Sequence, residues 1–411
     1  MLDLKAIRSD AESIRAALAR RNDGSAEALD EVIALDTAWR EATAAAEDLR
    51  AEQKASSKGR QGAPTEDERR ELADLAARGR SASDAEVGAR SALDAALAGI
   101  PNPPLPDSAD EDQVVREVGE SGAEGRDHLE LAGSMIDVES AARLSGARFA
   151  FLRGALVMVE LALVRYALET LTAEGFEPVI PPVLVREEAL FGTGFLPDTE
   201  QQIYRLADDD LYLTGTSEVA LAGLNAGAII DASDLPLRYA GFSPCFRREA
   251  GSAGRDTRGI FRVHQFDKVE MYSLVPPDQS ADEHQRILSI EERILSDLAI
   301  PYRVVNIGVA ELGASAAKKF DCEAWLPGQG RWRELTSCSN TTDFQARRLE
   351  IRMRPDGGGK PEVLHTLNGT AVAVGRTLIA LLENGQRDDG SVEMPDVLVE
   401  RGAPPILRAP S

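Results

Sequence analysis

Apolar positions along the chain follow two different rhythms. Over 25–56, Leu29, Val32, Leu35, Trp39, Ala42, Ala46 and Leu49 recur at three- and four-residue steps with Ile33 on the flank, which predicts an amphipathic helix. The stretch SSKGRQGAPTEDERRE breaks that stripe with Gly59, Gly62 and Pro64. Thr65 followed by Glu68 then forms a capping-box start for a second helix carrying Leu72, Leu75, Ala76, Val87 and Leu93. Two helices of about 30 residues joined by a polar turn make an antiparallel hairpin about 45 Å long at roughly 1.5 Å per residue, more than a compact domain needs. The stripe by itself equally suits a dimerisation coiled coil. The Pro-rich run GIPNPPLPDSADEDQ (99–113) separates this segment, 1–102, from the remainder, 103–411. Beyond it, apolar runs at 176–180, 211–213, 260–263, 269–274 and 302–307 read as strands, interspersed with helical segments near 151–174, 278–299 and 370–385. There is no βαβ rhythm and no Gly-x-Gly-x-x-Gly, so an α+β domain on a mostly antiparallel sheet is expected.

Composition narrows the class without giving the chemistry. With 43% hydrophobic and 28% charged residues among 411, the chain has the make-up of a globular protein with a sizeable core, not of a disordered or fibrous one. No apolar run reaches the roughly 18–20 residues of a membrane span. The opening MLDLKAIRSDAESIRAALARR alternates charges and does not read as a signal peptide, and three scattered cysteines that cannot close a disulfide framework lead to the expectation of a reducing, cytoplasmic location. The three cysteines, Cys245, Cys322 and Cys338, are scattered and form no CxxC, which argues against a disulfide framework and against structural zinc. His128, His284 and His365 show no metal-ligand spacing and read as surface or satisfied core residues. The balance of 46 basic against 69 acidic residues gives a net charge of −23, which taken alone disfavours a polyanionic partner.

Local charge contradicts that average. FSPCFRREAGSAGRDTRGIFRVHQFDKVEM (242–271) reads as a strand ending in Arg247, Arg248 and Glu249, a Gly/Ser loop, and a return strand with Arg262, His264, Phe266, Lys268 and Glu270. Such a hairpin is often just a salt-bridged sheet edge. Six cations within 22 residues (Arg247, Arg248, Arg255, Arg258, Arg262 and Lys268) in an otherwise acidic chain point instead to an anion site, because guanidinium forks bind phosphate oxygens bidentately. TLNGTAVAVGRTLIALLENGQ (366–386) reads as a strand turning through Asn368-Gly369-Thr370 into an apolar helix. Arg376 in that helix is costly to bury unless it meets an anion. In RELTSCSNTTDFQARR (333–348), Glu334 is placed at a strand end beside Thr336, Ser337 and Ser339, donors suited to a divalent ion bridging phosphates.

Together these stretches resemble the signature motifs of class II aminoacyl-tRNA synthetases, and in detail the bacterial-type seryl-tRNA synthetase family. GFEPVIPPVLV (175–185) is similar to motif 1, the 242–271 stretch to motif 2 and LNGTAVAVGRTLIALLEN to motif 3; GTGFLP (192–197), LTGTSEVAL (213–221), FDCEAW (320–325) and ELTSCSNTTDFQARR (334–348) are further family-like strings. The resemblance implies a class II catalytic domain, an antiparallel sheet flanked by helices, with an N-terminal helical-hairpin arm. It implies activation of L-serine by ATP to seryl-adenylate and pyrophosphate, then transfer to the 3′ end of serine tRNA, and of selenocysteine tRNA where present.

Carried onto matching positions, the resemblance makes Arg247, Glu334 and Arg376 catalytic. It places ATP against Arg247, Arg248, Glu249, Arg262, Val263, Phe266, Glu334, Leu335, Thr336, Ser337 and Arg376. Arg247 would bridge the serine carboxylate and the α-phosphate, Glu249 accept from the adenine amino group, Phe266 stack on the ring, and Arg262 and Arg376 hold the γ-phosphate. Glu334 and Ser337 would bind Mg²⁺. Serine would meet Thr216, Ser217 and Glu218 at its amino group and Glu270 and Thr370 at its hydroxyl, with Arg247 and Asn368 completing the pocket. Thr370 stands where many relatives carry Ser, a swap that keeps the hydroxyl.

The hairpin at 27–97 matches the arm that lies on the tRNA, and its tip is basic, with Arg50, Lys54, Lys58, Arg60, Arg69, Arg70, Arg78 and Arg80 against six acids between 50 and 80. The family also implies a homodimer through motif 1. Two alternatives are a catalytically inactive paralogue acting as a tRNA-binding or regulatory protein and an amino acid:carrier protein ligase. The first would have lost Arg247, Glu249, Glu334 or Arg376, and the second would lack the arm; this chain keeps all of them.

Overall fold

The structure is a computed structural model that describes residues 1–58, 65–197, 202–250, 256 and 258–410, without the side chain of Ser57. The chain divides into two compact units, Met1–Pro103 and Pro104–Ser411.

The first unit contains helices α1 (Leu4–Ser9), α2 (Ala11–Ala19), α3 (Ser25–Ser57) and α4 (Glu66–Ala98). The two long helices of 33 residues each pair as the expected hairpin. Thr65 caps α4: its hydroxyl accepts from the Glu68 backbone N–H at 3.3 Å while its own N–H donates to Glu68 Oε2 at 2.7 Å. Apolar burial concentrates at the root, where Leu2, Ile7 and Leu18 pack on Leu29, Val32, Leu93, Leu97 and Ile100. Val87 is 66% exposed, against expectation. It lies six residues before Leu93, a spacing that is not a whole number of helical turns and carries it off the buried stripe. Arg50, Lys54, Lys58, Arg69, Arg70, Arg78 and Arg80 are exposed, and Arg60 lies outside the described residues.

The second unit is organised by an eight-stranded sheet of β1 (Gln113–Val118), β2 (Glu177–Val179), β3 (Leu237–Phe246), β4 (Gln265–Val275), β5 (Tyr302–Asn306), β6 (Lys318–Leu326), β7 (Arg331–Asn340) and β8 (His365–Ala373), in the order β1-β5-β6-β7-β8-β4-β3-β2. All neighbours run antiparallel except β2 and β3. Helices α5 (Ala155–Ala173), α6 (Glu218–Gly223), α7 (Ser280–Asp297), α8 (Phe344–Arg348) and α9 (Val374–Asn384) flank it. One face is sealed into the main core, in which Leu156, Val159 and Leu163 of α5, Ile287 and Ile294 of α7 and Leu378 and Leu381 of α9 meet Val269, Met271, Cys338 and Leu367 of the strands. Gly369 permits the closest approach of α7, since a Cβ there would collide with Ile287 Cγ2 and lie 2.9 Å from Glu291 Oε1. The other face, over the middle strands, carries the polar residues.

Three sequence expectations shift. Residues 260–263 form a turn and bends instead of a strand, and the return strand begins only at Gln265, so Arg262 and His264 precede it. Likewise β3 stops at Phe246, leaving Arg247, Arg248 and Glu249 in the following loop. Asn368-Gly369-Thr370 is not a turn: β8 runs on to Ala373 and α9 begins at Val374. The ladder to β4, which pairs Thr370 with Glu270 and Gly369 with Met271, overrides the local turn preference of Asn-Gly.

Candidate active site

The open face of the middle strands carries a cavity of about 440 Å³ whose walls follow from strand alternation. On β4, Phe266, Lys268 and Glu270 are two residues apart and all line it, while Asn368 and Thr370 of β8 and Ser337 and Ser339 of β7 complete the floor. Glu334 lines the cavity too, although three residues from Ser337 it belongs to the opposite phase. A β-bulge resolves this: β7 pairs Thr336 with Cys322 and then Glu334 with Glu323, so Leu335 is the extra residue and the phase reverses. Glu334 is therefore the fourth residue of a ten-residue strand, not its end. Thr216 and Glu218 enter from the start of α6, Arg247 and Glu249 from the loop after β3, residues 260–263 from the return loop, and Arg376 from the first turn of α9.

At one end cations dominate. Arg376 donates to the Glu334 carbonyl at 2.9 Å and to its carboxylate at 3.1 Å. It is half-buried in that first turn and faces the cavity, not wrapped by the apolar faces of the helix. The Phe261 ring lies 3.7 Å from the Arg333 guanidinium and 4.7 Å from that of Arg376, contacts that steer both groups. Arg262 donates to Glu249 at 2.7 Å, and Arg247 lies 5.3 Å from the Phe266 ring centroid with its Nε donating to the Gly215 carbonyl at 3.3 Å. Glu249 holds φ at 51°, a conformation uncommon for a non-glycine residue that aims it toward Arg262. Desolvation pushes the Glu334 carboxyl up, but Arg376, Lys319 and Arg247 together hold it below the usual carboxylate range. Behind it, burial pushes Asp321 up to about 7 against the pull of Lys319, 3.0 Å away.

The other end is acidic. Glu218 and Glu270 are both nearly inaccessible. Burial first, then the Glu270 charge, pushes Glu218 up to about 7, while hydrogen bonds from Gln345 and Asn368 and the Lys268 charge oppose the rise. Burial also pushes Glu270 up, against Lys268, which pairs with it directly. A pocket with two carboxylates and the hydroxyls of Thr216 and Thr370 at one end and guanidinium groups at the other fits a zwitterionic, hydroxylated amine beside a polyphosphate.

The structure brings Arg247, Glu249, Arg262, Val263, Phe266, Glu334, Leu335, Ser337, Arg376, Thr216, Glu218, Glu270, Asn368 and Thr370 around this one cavity. Three expected residues point elsewhere. The Thr336 hydroxyl lies on the opposite face of β7 and donates to Glu291 Oε2 at 3.0 Å, beneath the site. The Ser217 hydroxyl turns to the Gly241 carbonyl at 3.3 Å, and Arg248 is exposed outside the cavity lining. Arg255 lies outside the described residues, and Arg258 pairs with Asp127 at 2.6 Å away from the cavity lining. Sequence reading missed Lys319 as a lining residue and Gln345 beneath Glu218, and it counted Lys268 only among the cations of an anion site, whereas Lys268 pairs with Glu270. Lys268 shares the cavity face with Phe266 and Glu270 by strand alternation, whereas Gln345 gives no local signal. Among the described residues no cluster of three or more His, Cys, Asp or Glu side chains is arranged to hold a metal ion.

Known proteins resemble the chain over its whole length. Residues 1–104 match the family description "Seryl-tRNA synthetase N-terminal domain" and residues 202–385 match "tRNA synthetase class II core domain (G, H, P, S and T)". The chain is 48% identical to the serine-tRNA ligase of Nocardia farcinica with both chains fully covered, and 48% identical to that of Acidothermus cellulolyticus with 99% of each covered. Among solved structures, the seryl-tRNA synthetase of Pyrococcus horikoshii complexed with ATP superposes with a TM-score of 0.94 at 37% identity over all of both chains. The cytoplasmic serine-tRNA ligase of Naegleria fowleri in complex with AMP gives 0.85 at 31% identity, covering 97% and 95% of the two chains.

Proposed function

The chain belongs to the seryl-tRNA synthetase family and is a serine-tRNA ligase, and from that premise we propose how its residues divide the work. The observation that carries the assignment is the meeting of two opposite charge environments in one cavity: Glu218 and Glu270 at one end, Arg247, Arg262 and Arg376 at the other. Serine binds with its ammonium at Glu218 and Thr216 and its hydroxyl at Glu270 and Thr370. Burying groups that expect a hydroxyl rejects an analogue lacking it by roughly 10⁴–10⁵, because they are left unpaired. ATP lies along the cationic end, with its adenine amino group at Glu249, its ring on Phe266 and its phosphates at Arg262 and Arg376. ATP is the ligand named for the similar Pyrococcus horikoshii structure.

In the first step a serine carboxylate oxygen bonds to the α-phosphorus as the bond to pyrophosphate breaks. The nucleophile is already ionised, so no side chain need act as base; positioning and charge suffice. Arg247, the cation of the phosphate end whose charge reaches both Glu270 and Glu334, meets the negative charge growing on the α-phosphoryl oxygens, and Arg376 and Arg262 meet the charge of the leaving group. Glu334, held ionised by its neighbours, and Ser337 on the same bulged strand form a donor set that suits Mg²⁺, which commonly takes one or two protein oxygens and completes its shell with phosphate oxygens and water. When bound there it would neutralise phosphate charge.

The arm, α3 and α4, takes serine tRNA along its exposed cations by backbone contacts. Exposed Met158 and Leu161 on α5 and exposed Ile180 in motif 1 support a homodimer, and sedimentation at micromolar concentration checks it. An inactive paralogue and a carrier-protein ligase are not favoured. No helix among the described residues is long and apolar enough to cross a membrane. The deciding experiment is serine-dependent ATP-pyrophosphate exchange followed by charging of serine tRNA; exchange driven by another amino acid and not by serine would refute the substrate assignment.

A further inference from the structure

We propose that Gln345 is the positioning residue of the serine ammonium site, gripping Glu218 by one carboxylate oxygen so that the other is presented to the substrate. This deepens the reading above and rests on Glu218 receiving the ammonium. Gln345 is fully buried at the second position of α8 and does not line the cavity. Its Nε2 donates to Glu218 Oε1 at 2.8 Å and to the Thr193 carbonyl at 3.1 Å. Its Oε1 accepts from the Tyr272 hydroxyl at 3.0 Å and from the Thr366 hydroxyl at 3.0 Å. With four partners the amide can be seated only one way round, because a flip would set its oxygen against the Thr193 carbonyl.

Asn368 Nδ2 donates to the same Glu218 Oε1 at 2.8 Å, so both side-chain donors converge on one oxygen. Thr341 braces Thr366 from behind at 2.6 Å. The result is a connected buried network running from β8 and β4 through α8 to Glu218, the sort that fixes a carboxylate within a narrow angle. It also sets its charge. The ionisable groups facing Glu218 are Glu270 and Lys268 on β4, with Tyr272 reaching it through Gln345; burial and Glu270 favour the neutral acid, and Gln345 is the foremost group opposing them. Without that donor Glu218 would protonate at higher pH and lose its hold on an ammonium.

The test is Gln345→Met in the full chain, assayed by serine-dependent pyrophosphate exchange from about pH 6 to about pH 8.5, with the KM values for serine and ATP measured separately. The expected result is a serine KM raised about 10- to 100-fold, an ATP KM within about threefold of the parent, and an acid limb of kcat/KM for serine displaced to higher pH. An unchanged serine KM, or parallel rises in both KM values without a pH displacement, would overturn the proposal. Should Q345M fail to fold, Y272F and T366V, which remove the two hydroxyls holding the Gln345 oxygen, decide the matter by the same serine-selective rise or its absence. E218Q separates the layers. If it leaves the serine KM unchanged, the ammonium assignment and this inference fall together; if it raises the serine KM while Q345M does not, only the role of Gln345 falls.

Discussion

The cavity and the arm, each proposed to take a polyanion, present charge in opposite ways. In the cavity the charged groups are held in pairs, Lys268 with Glu270 and Lys319 with Asp321 largely out of water and Arg376 with the more open Glu334; burial pushes Glu270 and Asp321 up, while neighbouring cations hold Glu334 down. On the arm they stand in water, paired across the helices, as Arg50 with Glu86, or within one, as Arg90 with Asp94, or left open along α3 and α4. A small ligand whose reacting atoms must be placed to a fraction of an ångström needs fixed, desolvated dipoles and charges. A long nucleic-acid backbone needs only a stiff rod bearing screened cations, whose grip falls with salt. The net charge of −23 averages over both and describes neither.

The sharpest break between the two regions is removal of residues 27–97. Charging of serine tRNA should be abolished while pyrophosphate exchange stays within about threefold, because every residue of the cavity wall lies in the second unit. Equal loss of both activities would show that the arm serves the chemistry as well. Next in size is Arg376→Ala, which removes a cation from both the phosphate end and Glu334. A loss of about 2–4 kcal/mol in transition-state stabilisation is expected, read as a roughly 30- to 1000-fold fall in kcat/KM for ATP in exchange. The tRNA KM should not move, and exchange kinetics like the parent's would contradict its phosphate role.

The arm was legible because its rules are local: a 3.6-residue stripe, a capping box and a Pro-rich boundary are all carried by neighbours in sequence. The cavity was legible by type and less so by placement. Arg247, Glu249 and Phe266 could be named from one stretch, but nothing in that stretch says that the strand resumes only at Gln265. Glu334 and Ser337 share a face only because Leu335 is bulged, a property of the pairing with β6 that their spacing hides. For the same reason Thr336, taken as part of the ATP site, ends up beneath it on Glu291. Gln345 escaped notice because its importance arises from four partners at distant positions, Thr193, Glu218, Tyr272 and Thr366, none of which is a sequence neighbour.

The smallest expected effect probes whether the arm is as piecemeal energetically as it looks. Thr65 and Glu68 satisfy each other's backbone N–H groups at the start of α4, and the cap is exposed. Thr65→Ala removes the hydroxyl acceptor, a change that commonly costs about 1 kcal/mol of local helix stability. The apolar cluster holding the hairpin together is built from Leu18, Leu29, Val32, Leu93, Leu97 and Ile100, well away in sequence from residue 65, so the loss should stay in the first turn. Amide exchange should quicken at Glu68 and Arg69, whose N–H groups are held by Thr65. Protection around Leu93 should hold, as should pyrophosphate exchange, while the tRNA KM rises by no more than about threefold, since docking charges on a frayed end still reach a flexible backbone. A global drop in melting temperature, or any fall in adenylate formation, would mean that the cap is coupled to the rest of the chain, and that the arm is a cooperative network of the kind found around Glu218.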